Sequence, residues 1–386
     1  MVRKRWLSKI VATLCIGSLL AGCGTGATAQ KSVKIGAIFP LTGGSAYEGQ
    51  SFKNAIELAR DEINANGGVN GVKLDIIFQD DKSKPAEGVS AAQKLITQDK
   101  VVALLGAFNS SVTLAIEDVS KREKVVQITP GSTADAVTEQ GNPYMYRNIL
   151  PNKVQGKAIA DYAVTNLGLH KFAILAENTD YGRSGATVFE NEVKAKGGSV
   201  IVKEYYNQGD TDFYVQLTKL KNSGAEGTFI AGLITEGAQI VKQARDLGVK
   251  TQFLGMGGFT NNKFHELAGG AEEGMIHSSY FEPDAYQYFP DSKSFVEAYK
   301  KKYGVDPDMY AAGGYEAVYI LAAAMKTGGF DREGIQKGMK QIKDLPGVQG
   351  PTTFDDKGQA SKHLLFVKWS GGKRVVIGSD VDNAKK

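Results

Sequence analysis

From residue 33 onward, short apolar runs alternate with longer stretches whose apolar residues recur at helical spacing. No other feature restricts the fold as much. Val33–Phe39 reads as a strand closed by Pro40, and in residues 49–65 Phe52, Ala55, Ile56, Ala59 and Ile63 share one helical face that ends at Asn66-Gly67-Gly68. A strand over Lys73–Phe78 and a helix over 85–98 follow, then Val101-Val102-Ala103-Leu104-Leu105. That last run is uninterrupted, the mark of a strand buried on both faces of a parallel sheet. A helix over 111–121 and a strand over Val125–Ile128 complete the series. After Pro151 a second series runs helix 153–167, strand 171–175, helix 183–196, strand 200–205, helix 212–222, strand 228–231, helix 236–247 and strand 251–255. Repeated βα units need parallel pairing with crossover helices, so the expected class is α/β: two lobes, each an open, mostly parallel sheet flanked by helices. Three successive helices near 292–303, 310–327 and 331–342 precede short strands at 364–369 and 374–377. These late elements must complete lobes begun earlier, so the chain is expected to cross between lobes more than once.

The first residues read as a targeting segment. Arg3, Lys4, Arg5 and Lys9 precede or border an uncharged run from Ile10 to Gly22. That run is short for a bilayer span, which takes about 20 residues, and suits a signal peptide. It ends in Leu20-Ala21-Gly22-Cys23, which resembles the lipobox of bacterial lipoproteins and implies cleavage after residue 22 and lipidation of Cys23. An uncleaved anchor, or a secretory signal beside an incidental cysteine, is the competing reading. Residues 23–32 then form a tether between lipid and fold.

Removing residues 1–22 changes two tallies. The whole net charge of +4 resides in Arg3, Lys4, Arg5 and Lys9, which leaves 42 basic against 42 acidic residues. A neutral body gives no electrostatic reason to expect a nucleic-acid partner. Both cysteines, Cys15 and Cys23, lie in the leader and the box, so the body holds neither a disulfide nor a thiolate metal site. About 360 residues remain, enough for two domains with cores of their own.

In open α/β sheets ligands bind beyond the carboxyl ends of the strands. Four strand-to-helix junctions carry suitable chemistry. Residues 40–49 form a flexible loop containing Tyr47; Gly106-Ala107-Phe108-Asn109-Ser110-Ser111 offers hydroxyls and backbone N–H groups at a helix start. Such a start favours a carboxylate or another anion. Thr129-Pro130-Gly131-Ser132-Thr133 adds donors, and Ala176–Gly182 supplies Tyr181 from the opposite lobe. Each junction alone reads as readily as an ordinary helix cap or turn; four at the same end of sequential strands indicate a shared cleft.

Enzyme signatures are weak. No phosphate-binding loop or nucleophile elbow occurs, and His170, His265, His277 and His363 lie far apart without metal-ligand spacing. The pairs Asp80-Asp81, Glu272-Glu273 and Asp355-Asp356 fall in turns, where solvated faces explain them. Neither a cofactor nor catalysis is expected.

At these junctions the chain resembles the leucine/isoleucine/valine-binding proteins, the solute receptors of branched-chain amino acid ABC transporters. The likeness runs from about Val33 to Gly378 and rests on Ile35-Gly36, Pro40-Leu41-Thr42-Gly43, Glu62–Val69, Ile128–Thr133, Asp180-Tyr181-Gly182, Gly209–Phe213 and Phe354–Gly358 in this order. It implies a type I periplasmic binding protein with three crossovers: residues 33–150 with 281–347 in one lobe, and 151–280 with 348–382 in the other. It implies that Ser110 grips the ligand carboxylate, with Asn109 beside it, and that Ser132 and Thr133 serve carboxylate and ammonium. Tyr47 and Tyr181 would cover the ligand from the two lobes, and Phe108 would form apolar wall. The implied partners are a small molecule and the permease subunits, met by a monomer held at the periplasmic side of the membrane through its lipid.

One departure stands out. Where the amino-acid binders carry an acid that pairs with the ligand ammonium, this chain has Gly257, flanked by Met256, Gly258 and Phe259. A buried ammonium without a partner is costly. Either another acid supplies the charge, Glu236 and Asp180 being nearest by motif, or the ligand is a small amide, a short acid or an aromatic carboxylate. A branched-chain or other apolar amino acid is ranked first. A sensor feeding a membrane signalling protein is the alternative to transport.

Overall fold

The computed structural model describes residues 31–383. The leader, Cys23 and all but the end of the expected tether lie outside them. The first sheet has five strands, all parallel: β1 (Ser32–Phe39), β2 (Lys73–Asp80), β3 (Ala103–Gly106), β4 (Val126–Thr129) and β5 (Met145–Arg147), in the order β2-β1-β3-β4-β5. Helices α1 (Ala46–Ala65), α2 (Pro85–Thr97) and α3 (Ser110–Glu123) make its crossovers. β3 and β4 are buried along their whole length, as strands covered on both faces must be.

The second sheet has seven strands, in the order β12-β11-β10-β9-β8-β6-β7. They are β6 (Lys171–Glu177), β7 (Ser199–Tyr206), β8 (Gly227–Ala231), β9 (Gln252–Gly255), β10 (Ile276–Ser279), β11 (Leu365–Ser370) and β12 (Lys373–Ser379). The first five are parallel; β11 and β12 join as an antiparallel edge hairpin. Helices α4 (Asn152–Thr165), α5 (Asp180–Ala195), α6 (Tyr214–Lys221), α7 (Ile234–Asp246) and α8 (Asn262–Ala268) flank it.

After β10 the chain returns to the first lobe as α9 (Lys293–Tyr303), α10 (Met309–Gly328) and α11 (Arg332–Met339). α10 opens with Met309-Tyr310-Ala311-Ala312-Gly313-Gly314, all buried. Its small residues let it lie close to the first sheet: a Cβ on Gly313 would sit 3.0 Å from the Pro130 carbonyl oxygen. Tyr315 and Tyr319 then fix it to α1 by donating to the Glu62 carboxylate at 2.5 and 3.0 Å.

The chain therefore crosses between the sheets three times, and each crossing is pinned by a buried polar group. At the first, the Arg147 guanidinium donates to the carbonyl of Ala134 at 2.7 Å and to Gln359 Oε1 at 2.5 Å. At the second, Glu282 pairs with Arg374 of β12 at 2.8 Å. At the third, Lys362 pairs with Glu316 of α10, both side chains fully buried. The segment assigned from 348 to the second lobe first runs along the outer edge of the first sheet. Arg147 N–H donates to Gly358 O and Ala360 N–H to Arg147 O, both at 2.8 Å, while Phe354 packs edge-on to Tyr146. It joins the second sheet only at Leu365, because β5 leaves an unpaired edge that this segment covers. Two strands had no counterpart in the sequence reading, β5 and β10, and neither had α8.

Candidate functional site

Parallel strands aim their carboxyl ends one way, and the two sheets point theirs toward one another across a cleft. A cavity lined from both lobes lies there. The first lobe contributes Phe108 to Ser111 after β3, Gly131 and Thr133 after β4, and Met309 and Tyr310 at the start of α10. The second contributes Glu177 at the end of β6 with Thr179 and Tyr181 after it, Leu233 after β8, Gly257 and Gly258 after β9, and Tyr280 after β10.

The first-lobe wall is built to hold an anion. α3 begins at Ser110 with no side-chain cap from Asn109 and no acid in its first turn. The amides of Val112 and Thr113 are taken by the Asn109 carbonyl, each at 3.0 Å, which leaves those of Ser110 and Ser111 for a ligand. Ser110 Oγ accepts from the Ala134 amide at 3.1 Å, so its own hydrogen is free to point into the cavity. Thr133 Oγ1 is buried and bonds to no described residue. Together these donors sit at the positive end of a helix of 14 residues.

The adjoining wall is aromatic. Phe108, Tyr310 and Phe52 pack as a triad with ring centroids 5.4 to 5.6 Å apart. Gly131 leaves room for this, since a Cβ there would fall 2.6 Å from Phe108 Cδ2. Met309 and, from the second lobe, Tyr280 also line the cavity. From the other lobe Tyr181 covers the cavity, its hydroxyl aimed at the Gly232 carbonyl at 3.5 Å. Burial raises the phenol pKa of Tyr181 well beyond its ordinary value, so it stays a neutral hydrogen-bond donor.

Of the residues singled out in the sequence, Phe108, Asn109, Ser110, Thr133 and Tyr181 line the cavity. Three others do not. Ser132 points into the protein, where its hydroxyl ties the loop to the carbonyls of Ala107 and Phe108 and to Thr113. Tyr47 stands at the rim, 42% exposed, with the Lys263 ammonium of the other lobe 5.3 Å from its ring centroid. Glu236 is buried behind the wall and accepts from the Gly209 amide at 2.8 Å.

Gly257 donates its N–H to Gln155 Oε1 at 3.1 Å, and its carbonyl accepts from the Tyr310 hydroxyl at 3.2 Å. A Cβ there would stand 2.8 Å from Met309 Cε. Met309 thus occupies the space into which a side chain at 257 would grow. Glu177 was missed, although it closes the apolar run of β6 and so lies where a strand delivers its last side chain to the cleft. It lines the cavity at 1% exposure, and burial followed by the nearby Glu236 carboxylate pushes its pKa up to about 7. Tyr280, Met309 and Tyr310 were missed as well, Tyr280 because it follows the unread strand β10 and the other two because they open a helix that follows no strand.

The lobes touch around the cavity. Thr235 Oγ1 donates to the Gly44 carbonyl at 3.0 Å, Gln208 Nε2 to Ser45 Oγ at 3.2 Å, and Ser184 Oγ to Asp135 at 3.0 Å. Asp308 at the cap of α10 accepts from Asn261 of the second lobe.

Residues 32–373 match the model of a family described as periplasmic binding protein. The chain is 31% identical over 357 residues to Leu/Ile/Val-binding protein homolog 1 of Brucella suis biovar 1, covering 92% of this chain and 95% of that one. Among solved structures, a leucine-binding protein from Thermotoga maritima superposes with a TM-score of 0.86 at 31% identity, over 90% of this chain and 98% of the other. A branched-chain amino acid transporter substrate-binding protein from Streptococcus pneumoniae, in complex with isoleucine, does so with a TM-score of 0.85 at 31% identity, over 90% and 99%.

Proposed function

The chain belongs to the periplasmic binding proteins, an extracytoplasmic family of solute receptors and not of enzymes, and on that premise we propose that it captures a branched-chain or other apolar amino acid for an ABC transporter. One juxtaposition carries this reading: the free donors of Ser110, Ser111 and Thr133 stand beside the apolar wall of Phe108, Met309 and Tyr310. An α-amino acid presents the same pair, a carboxylate next to an aliphatic side chain. Burying a leucine-sized side chain is worth about 1.5–3 kcal/mol, and each hydrogen bond to a charged group about 1.5–3 kcal/mol. Both gains are complete only when the lobes meet, so ligand favours the closed form. In the cell we place the protein as a monomer lipidated on Cys23, held beside the permease that it supplies.

A second reading, a short acid or an aromatic carboxylate, is favoured by the lack of a carboxylate at Gly257. Calorimetry on the mature protein with L-leucine, L-isoleucine, L-valine, 4-methylpentanoate and benzoate separates the two. The amino acids should bind more tightly than their analogues without nitrogen. Ser110→Ala and Thr133→Val should each weaken every carboxylate by roughly tenfold or more. If neither substitution alters any affinity, the carboxylate does not sit on α3.

A further inference from the structure

Gly257 removes one acid from the cleft, but the cleft is not without acids. The nearest by motif, Asp180 and Glu236, are both unsuitable. Asp180 is exposed at the start of α5, and Glu236 lies behind the wall with an oxygen engaged by the Gly209 amide. Glu177 differs on each point. It lines the cavity, is buried, and its Oε2 accepts a hydrogen bond from no described residue. The titratable groups around it are Glu236, Tyr181 and Tyr206; all three are acids or phenols, and none brings positive charge. A buried carboxylate with an unpaired oxygen is expensive to keep, and a cation delivered by the ligand removes that cost.

Glu177, Thr179 and Gln208 come from the ends of β6 and β7, whereas Met309, Tyr310 and Tyr280 come from the crossovers. A zwitterion whose carboxylate sits on α3 would then turn its nitrogen toward Glu177 and its side chain toward Tyr310.

We propose that Glu177 is the counter-ion of the ligand ammonium, so that the charge missing at position 257 is supplied from the end of β6. This rests on the amino-acid reading above, and narrows the ligand class to zwitterions with an apolar side chain. Because burial raises the Glu177 pKa to about 7, an arriving ammonium stabilises the ionised form, and binding near neutral pH releases a proton.

The test compares L-leucine with 4-methylpentanoate, which lacks only the ammonium. The wild-type protein should prefer leucine by at least tenfold, and titration of leucine at pH 7 in buffers of different ionisation enthalpy should show net proton release. Glu177→Gln should collapse the preference and abolish the release, while Glu177→Asp, which keeps the charge one methylene further back, should retain part of both. A Glu177→Gln protein that still prefers leucine as the wild type does would overturn the assignment and leave the amino-acid reading standing. Should Glu177→Gln fail to fold, leucine binding to the wild type without proton release overturns it equally. If the wild type binds 4-methylpentanoate or benzoate more tightly than any amino acid, the amino-acid reading itself fails.

Discussion

Tyr310, at the start of α10 in the first lobe, donates its phenolic hydrogen across the cleft to the carbonyl of Gly257 in the second, at 3.2 Å. The same ring forms part of the apolar wall against Phe108. One residue therefore lines the cavity and fastens its two halves. Tyr310→Phe keeps the ring and removes only the fastening. A neutral hydrogen bond contributes about 0.5–1.5 kcal/mol net, so affinity for leucine should fall about three- to tenfold. The loss should appear in the dissociation rate, since the bond exists only after closure, and stopped-flow measurement of both rates checks this. An unchanged dissociation rate would mean that the bond does not help hold the lobes together.

Four strands of the first sheet were legible because each carries an apolar run, whereas β5 is only Met145-Tyr146-Arg147 and buries a guanidinium. β10 was not legible either: Ile276-His277-Ser278-Ser279 is wholly buried yet three parts polar. Its side chains find local partners, Ser278 Oγ on Gln155 and Ser279 Oγ on the Phe281 carbonyl, which no periodicity announces. The site divides in the same way. Spacing locates a residue at a junction but does not say which way it points. Thr133 faces the cavity and its neighbour Ser132 faces the interior. Tyr280, Met309 and Tyr310 reach the cleft only because the crossovers carry them there from far along the chain, and Glu177 lay within the Ala176–Gly182 junction but was passed over for Tyr181.

The Gly257 site yields a second prediction. An aspartate there meets Met309, whose Cε would lie 2.8 Å from the new Cβ. Cε is the free end of a flexible side chain, so making room costs only about 1 kcal/mol, the low end for overpacking, and Gly257→Asp should lower the melting temperature of the ligand-free protein modestly. Adding Met309→Ala opens the space, and the double variant should recover most of that loss, a coupling that a double-mutant cycle measures. Additive losses would show that Met309 is not what excludes a side chain at 257.

Among the described residues seven buried carboxyls have raised pKa values, burial being the first cause in each: Glu236, Glu282 and Asp308 are raised, and Glu48 and Glu117 reach about 8, Asp81 and Glu177 about 7. A carboxyl whose pKa rises on folding binds more protons in the native than in the unfolded state. Its contribution is complete below the ordinary carboxylate range and is lost as pH rises through the native value. His277, held down to about 4, works the opposite way, but only below its ordinary value near 6.5. Between pH 6.5 and 8.5 the carboxyls act alone, each costing about 1.4 kcal/mol per pH unit while it is still protonated. The melting temperature of the ligand-free protein should therefore fall across this window. Glu48→Gln, which keeps an acceptor for the Ile234 amide that Glu48 now receives at 3.4 Å, should flatten the fall. A melting temperature that is level or rising from pH 6.5 to 8.5 would contradict these environments.

The third crossover rests on the pair of Lys362 with Glu316. Both side chains are fully buried, and Thr352 Oγ1 and the Gln349 amide also donate to Glu316, at 2.6 and 3.1 Å. The pair joins α10 to the irregular segment leading into β11, so it couples the first lobe to the last entry into the second. Taking two charges out of water is costly, and such a pair adds little net stability over apolar residues of the same shape; removing one partner, however, leaves the other charge buried and alone. Lys362→Met should lower the unfolding free energy by about 3–5 kcal/mol, read from urea denaturation. Glu316→Gln combined with Lys362→Met should cost clearly less, because no unpaired charge remains. If the double variant is as damaged as the single one, the crossover depends on the ion pair itself and not on the avoidance of an unpaired carboxylate.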